Sequence, residues 1–199
     1  TWIYAVSATF SLPVALPLFR APGSMVLGHV LRPAHVGCMM FLAFLLFPML
    51  ARWRGKIHIW DWIPAILSLG VTAYIIWQGD EFGDRATAPT TMDYYVGVVL
   101  IVLLLEATRR STGLIMPVVA MMFLAYGLYG NRLPQPWTHR GYEFEDLVAH
   151  LYMTLEGIFG TTVDVSSSLI ILFTIFGAVL QFSGAGKFFI DFSFAAMGG

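Results

Sequence analysis

Residues 94–129 read YYVGVVLIVLLLEATRRSTGLIMPVVAMMFLAYGLY, two apolar runs separated by Thr108-Arg109-Arg110-Ser111-Thr112. A helix crossing a hydrocarbon core roughly 30 Å thick needs about 20 residues, with about 17 as the lower limit. The runs 94–107 and 113–129 approach that length, and only five polar residues join them. The spacing predicts a tight helical hairpin whose charged turn lies at a membrane face.

The same pattern recurs on both sides of this pair. A first run covers 2–19, interrupted by Pro13 and Pro17. A second covers about 34–51 and begins after Arg32-Pro33, where proline suits the first turn of a helix. A third runs from Trp60-Asp61-Trp62 to Trp77, its indoles placed where amphipathic rings favour the two interfaces. A sixth covers 163–182, entering through Ser166-Ser167-Ser168 and leaving into Ser183-Gly184-Ala185-Gly186-Lys187. Before it, Phe144, Leu147, Val148, Leu151, Tyr152 and Leu155 recur at helical spacing among Glu145, Asp146 and His150, as in an amphipathic helix lying along the interface. The expected fold is all-α: a polytopic helical membrane protein with about six transmembrane helices plus one interfacial amphipathic helix.

Composition agrees. The chain is 58% hydrophobic and 12% charged, against roughly 25% charged in soluble domains, and its mean hydropathy is +0.75. Its net charge of −1 lacks the basic surplus that nucleic-acid binding requires, so no nucleic-acid partner is expected. The lone cysteine, Cys38, excludes a disulfide framework within the chain and a cysteine metal cluster. No HExxH, GxSxG, Walker A or dinucleotide-binding loop is present, so no enzyme, ATPase or cofactor is expected.

Lys and Arg collect in cytoplasmic loops. Arg52, Arg54 and Lys56 follow the second run, and Arg109 and Arg110 follow the fourth. Arg85 lies among Asp80, Glu81, Asp84 and Asp93, which suits the opposite side. Arg20 and Arg32 run against the pattern, and Arg132 and Arg140 are offset by Glu143, Glu145 and Asp146. The balance places the start of the chain in the cytoplasm. No internal repeat is visible, although many transporters are built from inverted halves. The opening at Thr1 without methionine and the stop inside a new apolar stretch read as part of a longer polypeptide.

Three constellations carry candidate chemistry. Glu106 with Arg109 and Arg110 has i+3 and i+4 spacing, so an ion pair at the cytoplasmic interface satisfies all three; a proton or gating role is the functional alternative. Thr161-Thr162-Val163-Asp164-Val165-Ser166-Ser167-Ser168 gathers hydroxyls and a carboxylate at the entry of the sixth run. Asp164, Ser166, Ser167 and Ser168 suit substrate or ion binding, and equally the N-capping of the helix that follows. The histidines raise a haem reading, yet of His29, His35, His58, His139 and His150 only His35 lies near a span. His29 and His35 do not share a helix face as a metal pair would, and no metal site is expected.

Several motifs occur in the order of a known family. They are Thr91-Met92-Asp93 through Leu105-Glu106-Ala107-Thr108-Arg109-Arg110, then residues 113–130, His139-Arg140-Gly141-Tyr142, Leu155-Glu156-Gly157-Ile158-Phe159-Gly160, Phe176-Gly177-Ala178, and Ser183-Gly184-Ala185-Gly186-Lys187-Phe188-Phe189-Ile190-Asp191. Together they resemble the fused permease of the tripartite ATP-independent periplasmic (TRAP) transporters, in its TAXI branch.

The resemblance implies a small scaffold region, residues 1–93, fused to the start of a large transport subunit, residues 94–199, with a boundary between 90 and 112. It implies a multi-pass protein of a bacterial inner membrane. The expected activity is import of an organic anion, a carboxylate, delivered by a periplasmic solute-binding protein and driven by a sodium or proton gradient. Arg132 and Arg140, in loops expected to be periplasmic, are candidates for touching that partner. The remaining partners are the lipid bilayer and the remainder of the permease or a larger membrane complex. The family's Gly- and Ser-rich hairpins, which hold substrate and ion, would fall beyond Gly199. The alternative is therefore a truncated, permease-derived accessory subunit.

Overall fold

The computed structural model describes residues 26–49, 59–79 and 81–198, and every regular element among them is helical. The expected span at 2–19 lies outside the described residues. The principal helices are α1 (Val26–Leu46), α2 (Ile59–Gln78), α3 (Thr91–Thr112), α4 (Ile115–Tyr129), α5 (Phe144–Met153), α6 (Thr161–Phe182) and α7 (Ala185–Ala196).

Three of these, α2, α3 and α6, are long and apolar enough to cross a membrane. The apolar part of α1, Val30–Leu46, is shorter. Helix α4 has 15 residues, about 22 Å at 1.5 Å per residue, short of a bilayer core of roughly 30 Å. Among the described residues the structure thus gives three full-length candidates rather than about six.

Two boundaries differ instructively from expectation. Helix α1 starts before Pro33 and carries it inside. Proline removes one backbone hydrogen bond there, but Pro33 is buried and Arg32 beside it is held by α6, so tertiary contact sustains the helix. The expected turn at 108–112 is helical throughout. Glu106 pairs with Arg109 and Arg110 along the helix surface, which supports the last turn of α3. The reversal is left to Gly113, with φ +88° and its N–H on the Arg109 carbonyl.

Helices α1, α2, α3 and α5 share one core. Phe44, Ala65, Leu100 and Tyr152 are fully buried in it, with Met40, Ile75, Leu103, Met153 and Phe159 around them. Glycine sets two of the approaches. A side chain on Gly37 would collide with Thr72 across α1 and α2, and a Cβ on Gly97 would lie 2.9 Å from both Tyr152 and Val148 of α5.

That packing corrects the reading of α5. The apolar face expected to rest on lipid is covered by protein, because Val148, Ala149, Tyr152 and Met153 are all buried. Helices α4, α6 and α7 behave oppositely: Phe123, Phe173, Phe182 and Phe188 all point outward. Outward faces so rich in large apolar side chains suit acyl chains rather than water.

Candidate functional site

Charged side chains gather at both ends of the core. At the end where α1 begins and α2 finishes, Arg32 donates from Nε to Asp164 Oδ1 at 3.0 Å and from Nη1 to the Phe159 carbonyl at 2.9 Å. One turn on, His35 Nε2 lies 3.1 Å from Ser166 Oγ. Of the four residues expected to bind substrate or ion, Asp164 and Ser166 are therefore brought onto α1. Helix α6 is locally widened here, Ser166–Ile170 forming a π turn, a distortion that often marks functional positions.

Capping does not explain this stretch. The N-cap of α6 is Gly160, with no side-chain cap bond, and Asp164 sits within the first turn. Ser167 and Ser168 donate to the Asp164 carbonyl at 3.0 and 2.7 Å. The guanidinium of Arg32 takes Oδ1 of the Asp164 carboxylate, whose side chain remains 47% exposed. The arrangement acts as a latch between α1 and α6. Among the described residues no group of three or more His, Cys, Asp or Glu is placed to hold a metal ion.

A second group at the same end was not singled out by sequence. Asp93 is fully buried. It accepts from Tyr74 Oη at 2.8 Å, Thr90 Oγ1 at 2.7 Å and Thr90 N at 3.1 Å, and returns a bond from its own N–H to Thr90 Oγ1. This is a capping box, and its signal was a Thr three residues before an acidic residue at the head of an apolar run. Arg85 Nη1 stands 3.7 Å from Asp93 Oδ2. Tyr152, T-stacked on Phe82 at 4.9 Å, has its phenol pushed well above the ordinary value by burial, with the Asp93 charge adding to the rise.

At the opposite end Glu106 binds Arg109 twice, at 2.7 Å each, and Arg110 at 2.8 Å. Arg110 also reaches Asp61 at 2.7 Å and lies over the Phe44 ring, 5.0 Å from its centroid. Asp61 further accepts from the Met49 N–H at 3.2 Å. The sequence reading treated Asp61 as part of an interfacial tryptophan cluster. Charge arithmetic held the missing signal: two arginines share one glutamate, so a second carboxylate is needed nearby.

The candidate docking residues are apart from these groups. Arg132 lies over the Tyr129 ring at 5.5 Å, and Arg140 is exposed in the segment before α5. Two histidines make contacts of their own. His35 meets Ser166, and His139 joins the Tyr126 carbonyl and the Gly141 N–H.

Apolar helices of membrane-crossing length, tied by a buried ion pair at one end and a partly exposed one at the other, define a helical membrane protein. Residues 99–199 match the family model described as the tripartite ATP-independent periplasmic transporter, DctM component. The match covers a little more than half of the chain, and the chain belongs to that transporter family. No curated protein and no solved structure matches it.

Proposed function

We propose that the chain is the scaffold end of a fused TRAP permease of the TAXI branch, working in a bacterial inner membrane. One observation carries this reading: residues before the family match, among them Met40, Phe44, Ala65 and Ile75, lie in one core with Leu100, Leu103, Tyr152 and Met153 inside it. Two independently folding subunits would each need a core of their own. Here the division at 93/94 falls inside α3, whose buried face runs from Asp93 to Ala107, and this supports fusion with the boundary in or near that helix.

On this reading the permease imports an organic anion, a carboxylate, received from a periplasmic binding protein and moved by a sodium or proton gradient. The Arg32–Asp164 and His35–Ser166 contacts join the small-subunit-like region to α6 at the periplasmic end. The Glu106, Arg109, Arg110 and Asp61 group fastens the cytoplasmic end, and Arg132 and Arg140 offer rim charge to the binding protein.

Uptake of labelled carboxylates into vesicles tests the proposal, using the complete permease, its binding protein and imposed ion gradients. Uptake that needs both the gradient and the binding protein supports it. Uptake that ignores the gradient overturns secondary transport, and uptake without the binding protein overturns the tripartite reading.

A further inference from the structure

Arg85 and Tyr152 leave three buried polar atoms without a hydrogen-bond partner: Nε and Nη2 of the guanidinium and the phenolic oxygen. Tyr152 is fully buried, and its hydroxyl is within electrostatic reach of Arg85, Asp93 and Tyr74. Buried polar groups are nearly always bonded, so three unbonded atoms in one neighbourhood need an explanation.

Asp93 does not supply one. Its Oδ1 is taken by Tyr74 and its Oδ2 by the side chain and backbone of Thr90. It faces Arg85 on the Nη1 side at 3.7 Å, beyond the roughly 3.2 Å limit of an N–H···O bond. These bonds disperse the Asp93 charge on the side of the guanidinium away from the free edge. Nε–H and Nη2–H are the parallel pair of donors that matches two oxygens of one carboxylate or phosphate.

We infer that Arg85 and Tyr152 form a binding site for an oxyanion, a carboxylate or phosphate group taking both donors of the Arg85 Nε–Nη2 edge and the hydroxyl of Tyr152. Helix α5 brings Tyr152 to the turn that carries Arg85, and Phe82 of that turn packs its ring against Tyr152. Phe82 also lines, with Ile75, Met153 and Thr154 among others, a small cavity of about 10 Å³ to which Arg85 and Tyr152 themselves do not contribute. Tyr152 is fully buried against Phe82, and the low local dielectric that burial brings strengthens a charged contact made there. The oxyanion has two possible sources, a free solute or a phospholipid headgroup.

The test uses the whole chain purified in a neutral detergent and stripped of lipid, with the thermal unfolding midpoint as readout. One arm titrates sodium phosphate, and separately sodium acetate, against chloride at constant ionic strength. The other adds phosphatidylglycerol, compared with a galactolipid that carries no phosphate. A rise with phosphate or acetate identifies a solute site. A rise with phosphatidylglycerol alone identifies a headgroup site. In either case Arg85→Gln abolishes the rise. Arg85→Lys, which keeps the charge but not the paired donors, weakens apparent affinity about tenfold. Tyr152→Phe weakens it about fivefold. No rise with any oxyanion means that water alone fills the gap, and the inference fails. It fails equally if the rise survives Arg85→Gln, or if Arg85→Lys responds like the parent.

Discussion

Arg110 on α3 donates to Asp61 on α2 across 2.7 Å, and the two side chains are only 3% and 2% exposed. The contact closes a charge balance. Glu106 serves both Arg109 and Arg110, and Asp61 neutralises the positive charge that remains. Because Arg110 also covers the Phe44 ring of α1, three helix ends meet on one guanidinium.

Removing one member of such a pair leaves the other charged and buried. Asp61→Ala leaves Arg110 only the Glu106 carboxylate that it shares with Arg109, and should destabilise the protein by about 1–3 kcal/mol. The double variant Asp61→Leu/Arg110→Met should recover most of that loss, since apolar residues of similar volume replace a buried pair at little cost and Glu106 keeps Arg109. Thermal unfolding of the two variants in detergent checks this. A double variant as unstable as Asp61→Ala would mean the pair contributes through more than charge balance.

Two glycines on neighbouring helices should respond in opposite ways. A Cβ at Gly97 meets Tyr152 and Val148 at 2.9 Å, whereas one at Gly70 meets nothing within 4 Å. Gly97→Val should cost about 1–3 kcal/mol by forcing α5 away from α3. Gly70→Ala should gain up to about 1 kcal/mol from helix propensity. Unfolding midpoints of the two variants decide the point, and equal shifts would contradict the close α3–α5 approach.

The latch between α1 and α6 is of a different kind. The side chain of Asp164 is 47% exposed, and that of Arg32 15%. A pair open to solvent to this extent contributes under about 1 kcal/mol. A double-mutant cycle with Arg32→Gln and Asp164→Asn should return a coupling below that figure, falling further in high salt. A large, salt-insensitive coupling would mark a fixed structural bridge instead of a contact weak enough to open and close.

Hydrophobic run length, which needs only one segment at a time, made the all-helical membrane class legible, along with the α2, α3 and α6 spans. Partners of charged residues were legible only within a helix: Glu106 precedes Arg109 and Arg110 by three and four residues, but Asp61 lies 49 residues from Arg110. The fate of α5 was hidden for the same reason. An apolar stripe has the same period whether it faces lipid or protein, and the deciding residue was Gly97 on another helix. Asp164 stands out as a candidate from its setting of hydroxyls, while its partner Arg32, 132 residues away, reads as a loop charge at odds with the expected orientation.

The phenol of Tyr152 gives a pH signature. Burial raises its pKa in the folded protein above the ordinary value of about 10. The folded state then holds a proton that the unfolded state releases, so the stabilising contribution is complete below about pH 10 and is lost as pH climbs further. Tyr152→Phe removes this titration. In chloride buffer without added oxyanion it also removes a buried hydroxyl that has no acceptor, so the variant should be as stable as the parent at pH 7, or more stable by about 1–3 kcal/mol. Between pH 9 and about 11 the parent should then lose stability faster than the variant, other tyrosines contributing equally to both. Unfolding midpoints followed across that range make the comparison. Parallel curves would mean that the hydroxyl titrates normally, and hence that it is not sealed between α3, α5 and the Phe82 turn.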